Sequence, residues 1–144
     1  MAIEMNPIGY VRTDVKKLPR HWSISDAEGT LEIDEKYRDG LTDIEAGQRI
    51  IVLFNFHQSS PFNDSYLRMT PPHRSREMGV FSICSPIRPN PIGLSVVEVL
   101  AAEGTTLRVR HIDMRDGTPI LDIKPYIEGR HDCPSYTEPE TPSS

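Results

Sequence analysis

Gly79-Val80-Phe81-Ser82-Ile83-Cys84-Ser85-Pro86-Ile87-Arg88-Pro89-Asn90-Pro91-Ile92-Gly93-Leu94-Ser95 is the stretch from which the fold is read. It opens and closes as apolar runs, and its middle is nearly all punctuation. Pro86, Pro89 and Pro91 each fix φ and remove a backbone donor. Ser85, Arg88 and Asn90 each precede a proline and are pushed toward extended geometry. Such a segment can be neither helix nor sheet interior. It predicts a stiff loop between two strands, one over 80–84 and one over 94–100. A loop whose shape is set in advance loses little entropy on binding, which leaves Arg88 and Asn90 available to a ligand. The same prolines would also suit a plain connection that only resists unfolding. Gly93 lets the backbone approach a neighbour closely.

Outward from this loop the chain reads as short strands. Residues 8–12 form a first strand, and 29–33 alternate apolar and polar as a half-buried one. A helical turn or two fits 35–41. Residues 49–57 are the strongest strand; the unbroken apolar start predicts burial on both faces. A short strand fits 67–70, stopped by Pro71-Pro72. Past the loop, 94–100 and 106–112 form a hairpin around Gly104. Asp116-Gly117 is a tight-turn pair, followed by a strand over 118–123 halted by Pro125. Many short strands, hairpin connections and little helix predict an all-β fold, a small and mostly antiparallel β-barrel. The barrel is expected over residues 1–128, with a polar, loose tail at 129–144.

Composition narrows the function classes. The chain has 144 residues, enough for one domain with a real core. No apolar run is long enough to span a bilayer, so no membrane partner is expected. The N-terminus lacks a basic region followed by an apolar block, so no secretory signal is expected. Cys84 and Cys133 are too few for a disulfide framework, which fits reduced thiols in the cytoplasm. The net charge of −5 argues against a strong non-specific grip on nucleic acid. It leaves room for a local basic patch: Arg68, His73, Arg74, Arg76 and Arg88 lie close in sequence with few acids among them, although on charge alone a solvated loop with scattered charge is the simpler reading.

A second dense stretch runs from Asp113 to Tyr126. Asp122 and Lys124 are two apart, so on a strand they share one face, and Tyr126 follows after Pro125. A carboxylate, an amine and a phenol together can orient a substrate or move a proton. They can equally be a surface ion pair and a half-buried tyrosine. His57-Gln58 sits at a strand end, where ligand groups gather. No metal is expected: His131-Asp132-Cys133 has no second pair at zinc spacing. Walker, Rossmann and nucleophile-elbow motifs are absent.

At these stretches the chain resembles the TsaA/YaeB-like, or TrmO-type, family of tRNA methyltransferases. The resemblance rests on the proline loop with its flanks and on Asp-Gly-Thr-Pro and Leu-Asp-Ile-Lys-Pro-Tyr within 113–126. Phe54-Asn55-Phe56-His57-Gln58, Pro71-Pro72 and Ile8-Gly9-Tyr10-Val11-Arg12 also fit, so it covers about residues 5–128. The resemblance implies a β-barrel that binds S-adenosylmethionine as a homodimer, with cofactor sites near the subunit interface. It implies methylation of N6 of threonylcarbamoyladenosine beside the tRNA anticodon. Carried over by position, the cofactor contacts are Trp22, Ser23, Ile24, His57, Gln58, Cys84, Leu94, Asp113, Met114, Arg115 and Asp116.

The resemblance also sets the expected chemistry. An N6 acceptor must shed a proton, for which Asp122, Tyr126 and His57 are the candidate catalytic groups. Arg88, Asn90 and Lys124 would shape the rim or the acceptor side. The family often has Arg, within Thr-Arg-Ser-Pro, where Cys84 stands; the change removes a forked donor. Longer members also carry an additional C-terminal domain. Two alternatives follow: a methyltransferase of the same fold with another acceptor, or a cofactor-binding protein without transfer activity.

Overall fold

The structure is a computed structural model and describes residues 1–129. Cys133 and all but the first residue of the expected tail at 129–144 lie outside it. Among the described residues there are eight strands: β1 (Gly9–Arg12), β2 (Glu28–Ile33), β3 (Arg49–Asn55), β4 (Arg68–Met69), β5 (Met78–Gly79), β6 (Ile92–Glu103), β7 (Thr106–Arg110) and β8 (Pro119–Pro125). Six of them close into a barrel in the order β1-β2-β7-β6-β3-β8, with β8 pairing back onto β1. All neighbours in it are antiparallel. The all-β barrel expected from the sequence is therefore present. Helical structure among the described residues is confined to 3₁₀ segments, the longest over Glu35–Leu41.

The barrel closes because two strands are bulged. The register of β3 against β8 shifts between Leu53 and Phe54, and that of β6 against β7 shifts between Val99 and Ala101. Each extra residue bends its strand and increases the local twist, which a small closed sheet requires. Inward side chains fill the interior: Val11, Leu31, Val52, Val97, Val99, Leu107, Val109 and Ile120 are almost wholly buried. A barrel this narrow is a packed core, so any ligand must sit at an end or on the outside.

Two sequence expectations are corrected. Residues 80–84 are not a strand. Val80–Ser82 is a 3₁₀ turn, and its Val80 carbonyl accepts from the Ile83 N–H. Val80 is buried while Phe81 and Ser82 are exposed, so the apolar run does not alternate across a sheet. Before it, β4 and β5 pair only with each other and form a short arm outside the barrel. The second correction concerns β3, which is not buried on both faces. Ile50, Val52 and Phe54 point inward and are buried, whereas Ile51 and Leu53 are only partly covered. The run is unbroken because its outer face is partly covered too.

Candidate functional site

The proline loop is held by its own arginine. The Nη1 of Arg88 donates to the carbonyls of Ile83 and Ser85, both at 3.0 Å. Ser59 Oγ donates to the Pro86 carbonyl at 3.1 Å, tying in the loop after β3. The Phe56 N–H reaches the Pro91 carbonyl at 2.8 Å and extends the β3–β6 ladder. Arg88 thus satisfies carbonyls that prolines, lacking N–H groups, cannot. Arg88→Ala should lower stability by about 1–2 kcal/mol. Thermal unfolding measures this, and an unchanged midpoint would show that the prolines suffice.

These loops form one wall of a cavity of about 820 Å³ at the end of β3 where Phe54, Asn55 and Phe56 lie. Trp22, His57, Gln58, Cys84, Leu94, Asp113, Met114 and Arg115 all line it, as does Arg88. Ser23, Ile24 and Asp116 do not line it, although Ser23 and Ile24 share the 3₁₀ turn Trp22–Ile24. Asn90 is exposed outside the lining. Asp116 instead fixes the bend: its Oδ1 accepts from the Thr13 N–H at 3.1 Å. Gly117 completes that bend at φ +81°, a conformation open to glycine.

Phe54 and Phe56 meet edge to face, with centroids 5.0 Å apart. Gly93 faces Phe54 across the β3–β6 pair. A Cβ at Gly93 would fall 2.3 Å from the Phe54 ring, so the ring occupies space that only glycine leaves open.

Among the described residues Asp113 is the one carboxylate of the lining, against Lys16, Lys17, Arg20, Arg88 and Arg115. Burial raises its pKa above the ordinary 3.8. The Ser95 hydroxyl, the field of His21 and the backbone N–H groups of Asp113 and Trp22 pull the other way without cancelling it. Ser95 Oγ donates to Asp113 Oδ1 from a fully buried position on β6. Arg115 Nη1 donates to Gln58 Oε1 at 2.8 Å, joining the two loops over the cavity.

Asp122, Lys124 and Tyr126 lie elsewhere. They line a second cavity of about 670 Å³ with Arg49 and Ile50, toward the other end of β3. The ends of this seven-residue strand are about 20 Å apart. Asp122 and Lys124 share a face as expected and pair at 3.3 Å, with both side chains about half exposed. Such a pair contributes less than about 1 kcal/mol. Tyr126 lies under the Arg49 guanidinium, 4.6 Å from its ring centroid. His57 alone of the three candidate catalytic groups borders the larger cavity.

Sequence reasoning missed Ser95, His21 and the basic residues 16–20. Ser95 carried a signal: it is a polar residue at an inward position of an otherwise apolar β6 run, Gly93-Leu94-Ser95-Val96-Val97. His21 and residues 16–20 carried none, because only the tertiary fold lays their loop beside Asp113.

Fold and site together define a class: a closed antiparallel barrel with a polar, aromatic-lined cavity at its rim, shaped to hold a small molecule. Residues 11–133 match the tRNA-methyltransferase O N-terminal domain family. The chain belongs to that family. It is 42% identical over 141 residues to an S-adenosyl-L-methionine-binding protein of Archaeoglobus fulgidus, covering 96% of this chain and 99% of that one. It is 36% identical to the tRNA (adenine(37)-N6)-methyltransferase of Rattus norvegicus, covering 94% of this chain but 33% of the rat protein. The crystal structure of TrmO from Pseudomonas aeruginosa superposes with a TM-score of 0.71 at 35% identity, covering 88% of this chain and 57% of that one. The chain therefore spans nearly all of the first relative and only a third to three fifths of the other two.

Proposed function

We propose that the cavity beside Asp113 binds S-adenosylmethionine and that the protein methylates N6 of threonylcarbamoyladenosine next to the tRNA anticodon. The observation that carries this reading is the donor set of that cavity. Its volume suits a ligand of nucleoside size. Trp22, Phe54 and Phe56 offer apolar surface to a purine. Asp113 offers the acceptor that an ammonium or ribose hydroxyl requires, and Arg20 and Arg115 offer donors to a carboxylate. The lining thus keeps guanidiniums although exposed Cys84 stands where the family often has Arg. The residues present therefore fit the cofactor.

Bound there, S-adenosylmethionine supplies an electrophilic methyl group on a positively charged sulfur. Trp22, Phe54 and Phe56 line the cavity and would shield the methyl group on one side, and such shielding favours a transition state in which the sulfonium charge is spread out. The loops tied together by Arg88, Ser59 and Arg115 hold donor and acceptor in fixed relation, which supplies much of the acceleration. His57, exposed at the rim, takes the proton from N6. Asp122 and Tyr126, in the second cavity of the same chain, stand apart from this chemistry.

The working unit in this reading is a cytoplasmic homodimer. Exposed Ile24, Leu67 and Leu94 are apolar surface that pairing would cover, and sedimentation measures the state directly.

One observation favours a second reading. The relative matched over 99% of its length is named for binding alone, not for transfer. The two readings separate when the protein is incubated with methyl-labelled cofactor and tRNA from cells lacking its gene. The first predicts label in a single modified adenosine after digestion. Tight cofactor binding with no labelled nucleoside would leave only the binding reading.

A further inference from the structure

The arm formed by β4 and β5 has no part in the barrel and no part in the cavity, yet it concentrates positive charge. Across residues 65–76 it carries Arg68, His73, Arg74 and Arg76 and no acid, in a chain whose net charge is −5. Arg68 is matched by Glu77 at 2.9 Å. Arg74 and Arg76 are exposed, and among the described residues neither has a carboxylate partner. The tip is shaped in advance: Pro71 and Pro72 stiffen it, and the Arg74 N–H donates to the Pro71 carbonyl at 3.0 Å.

Immediately after the arm comes Phe81, 80% exposed. A phenylalanine left so open, with its neighbour Val80 buried, is not serving the core. Two residues further on, Ile83 and Cys84 already line the cavity. Lys16, Lys17 and Arg20 border the same cavity from the loop after β1. Cations on the arm and an exposed aromatic ring just after it supply what single-stranded nucleic acid requires: charge for phosphates and a flat face for a base.

We propose that this arm is the surface that grips the RNA, with Arg74 and Arg76 on phosphates, Phe81 stacked on an unpaired base, and residues 16–20 continuing the path across the cavity. The proposal rests on the RNA acceptor inferred above and names the element that holds it. Because phosphate contacts act at a distance from the cofactor, the arm sets RNA affinity and leaves cofactor affinity alone.

The test is filter binding of the whole chain to an anticodon stem-loop RNA over a series of salt concentrations, with calorimetry of S-adenosylmethionine alongside. Arg74→Glu/Arg76→Glu should weaken RNA binding at least about tenfold and flatten the log affinity against log salt slope by about one to two. Phe81→Ala should weaken it about tenfold with the slope intact. Arg74→Lys/Arg76→Lys should retain most of the affinity, and cofactor binding should be unchanged throughout. Lys36→Glu/Arg108→Glu makes the same change in net charge at exposed sites elsewhere. An equal loss from that control, or a shift in oligomeric state from the arm variants, would overturn the assignment. So would wild-type affinity in the arm variants. If the wild-type chain binds cofactor but no RNA at all, the RNA acceptor itself is wrong.

Discussion

Asp113→Asn should bind S-adenosylmethionine about 10- to 100-fold more weakly than the wild type while unfolding at a higher temperature near neutral pH. The loss follows from removing the acidic group that, among the described residues, lines a cavity otherwise rich in cations. A hydrogen bond to a charged group in a partly buried site is worth about 1.5–3 kcal/mol. The gain follows from the raised pKa. An acid whose pKa is raised by folding holds its proton more tightly in the folded chain than in the unfolded one. Its penalty is therefore absent below the unfolded value of 3.8 and grows as pH rises through the higher folded value. Asparagine keeps an acceptor for Ser95 and never ionises. The stability advantage of the variant should thus be full at neutral pH and shrink as pH falls toward 3.8. Unfolding midpoints across that range, together with calorimetric affinity, check both halves. A variant that binds normally would remove Asp113 from the site. One that is less stable at every pH would mean that the ionised carboxylate stabilises the fold.

Gly93→Val should be the most damaging single substitution in the strand that leaves the proline loop. Even a Cβ alone would lie 2.3 to 2.8 Å from three atoms of the Phe54 ring. Phe54 is itself nearly buried, so the ring cannot swing away without disturbing Phe56 and the core behind it. Overpacking of this kind costs about 1–3 kcal/mol, and here it also displaces a wall of the cavity. Both stability and cofactor affinity should fall. Shrinking the ring should restore part of the stability: Gly93→Val/Phe54→Leu should be more stable than the sum of its single changes predicts. Strict additivity in denaturant titrations would show that the two sites do not share this space.

The barrel was legible because its signals are local. The alternation of 29–33 and 106–112, the turns at Gly104 and Asp116-Gly117, and the chain-breaking prolines each act within a few residues. The expected strand over 80–84 failed for the same reason. Its composition suits a strand, but no barrel strand is free to pair with it, and pairing is decided far away in sequence. The site was legible in part. Trp22, His57, Leu94 and Asp113 lie apart in the sequence and line one cavity because β3, β6 and the bend before β8 end together. The shared face of Asp122 and Lys124 follows from strand periodicity alone, but periodicity does not say which end of the barrel that face serves. Ser95 and His21 were hidden because their importance is relational. Each matters through Asp113, and neither stands near it in sequence.

We place the cofactor in the cavity beside Asp113 and not in the one beside Tyr126. Titrating S-adenosylmethionine into isotope-labelled protein and following residue-resolved amide shifts tests it most directly. Trp22, His57, Leu94, Asp113 and Met114 should shift in a saturable manner while Tyr37, Lys124 and Tyr126 stay still. Saturable shifts confined to Tyr37, Lys124 and Tyr126, or none anywhere, would contradict it.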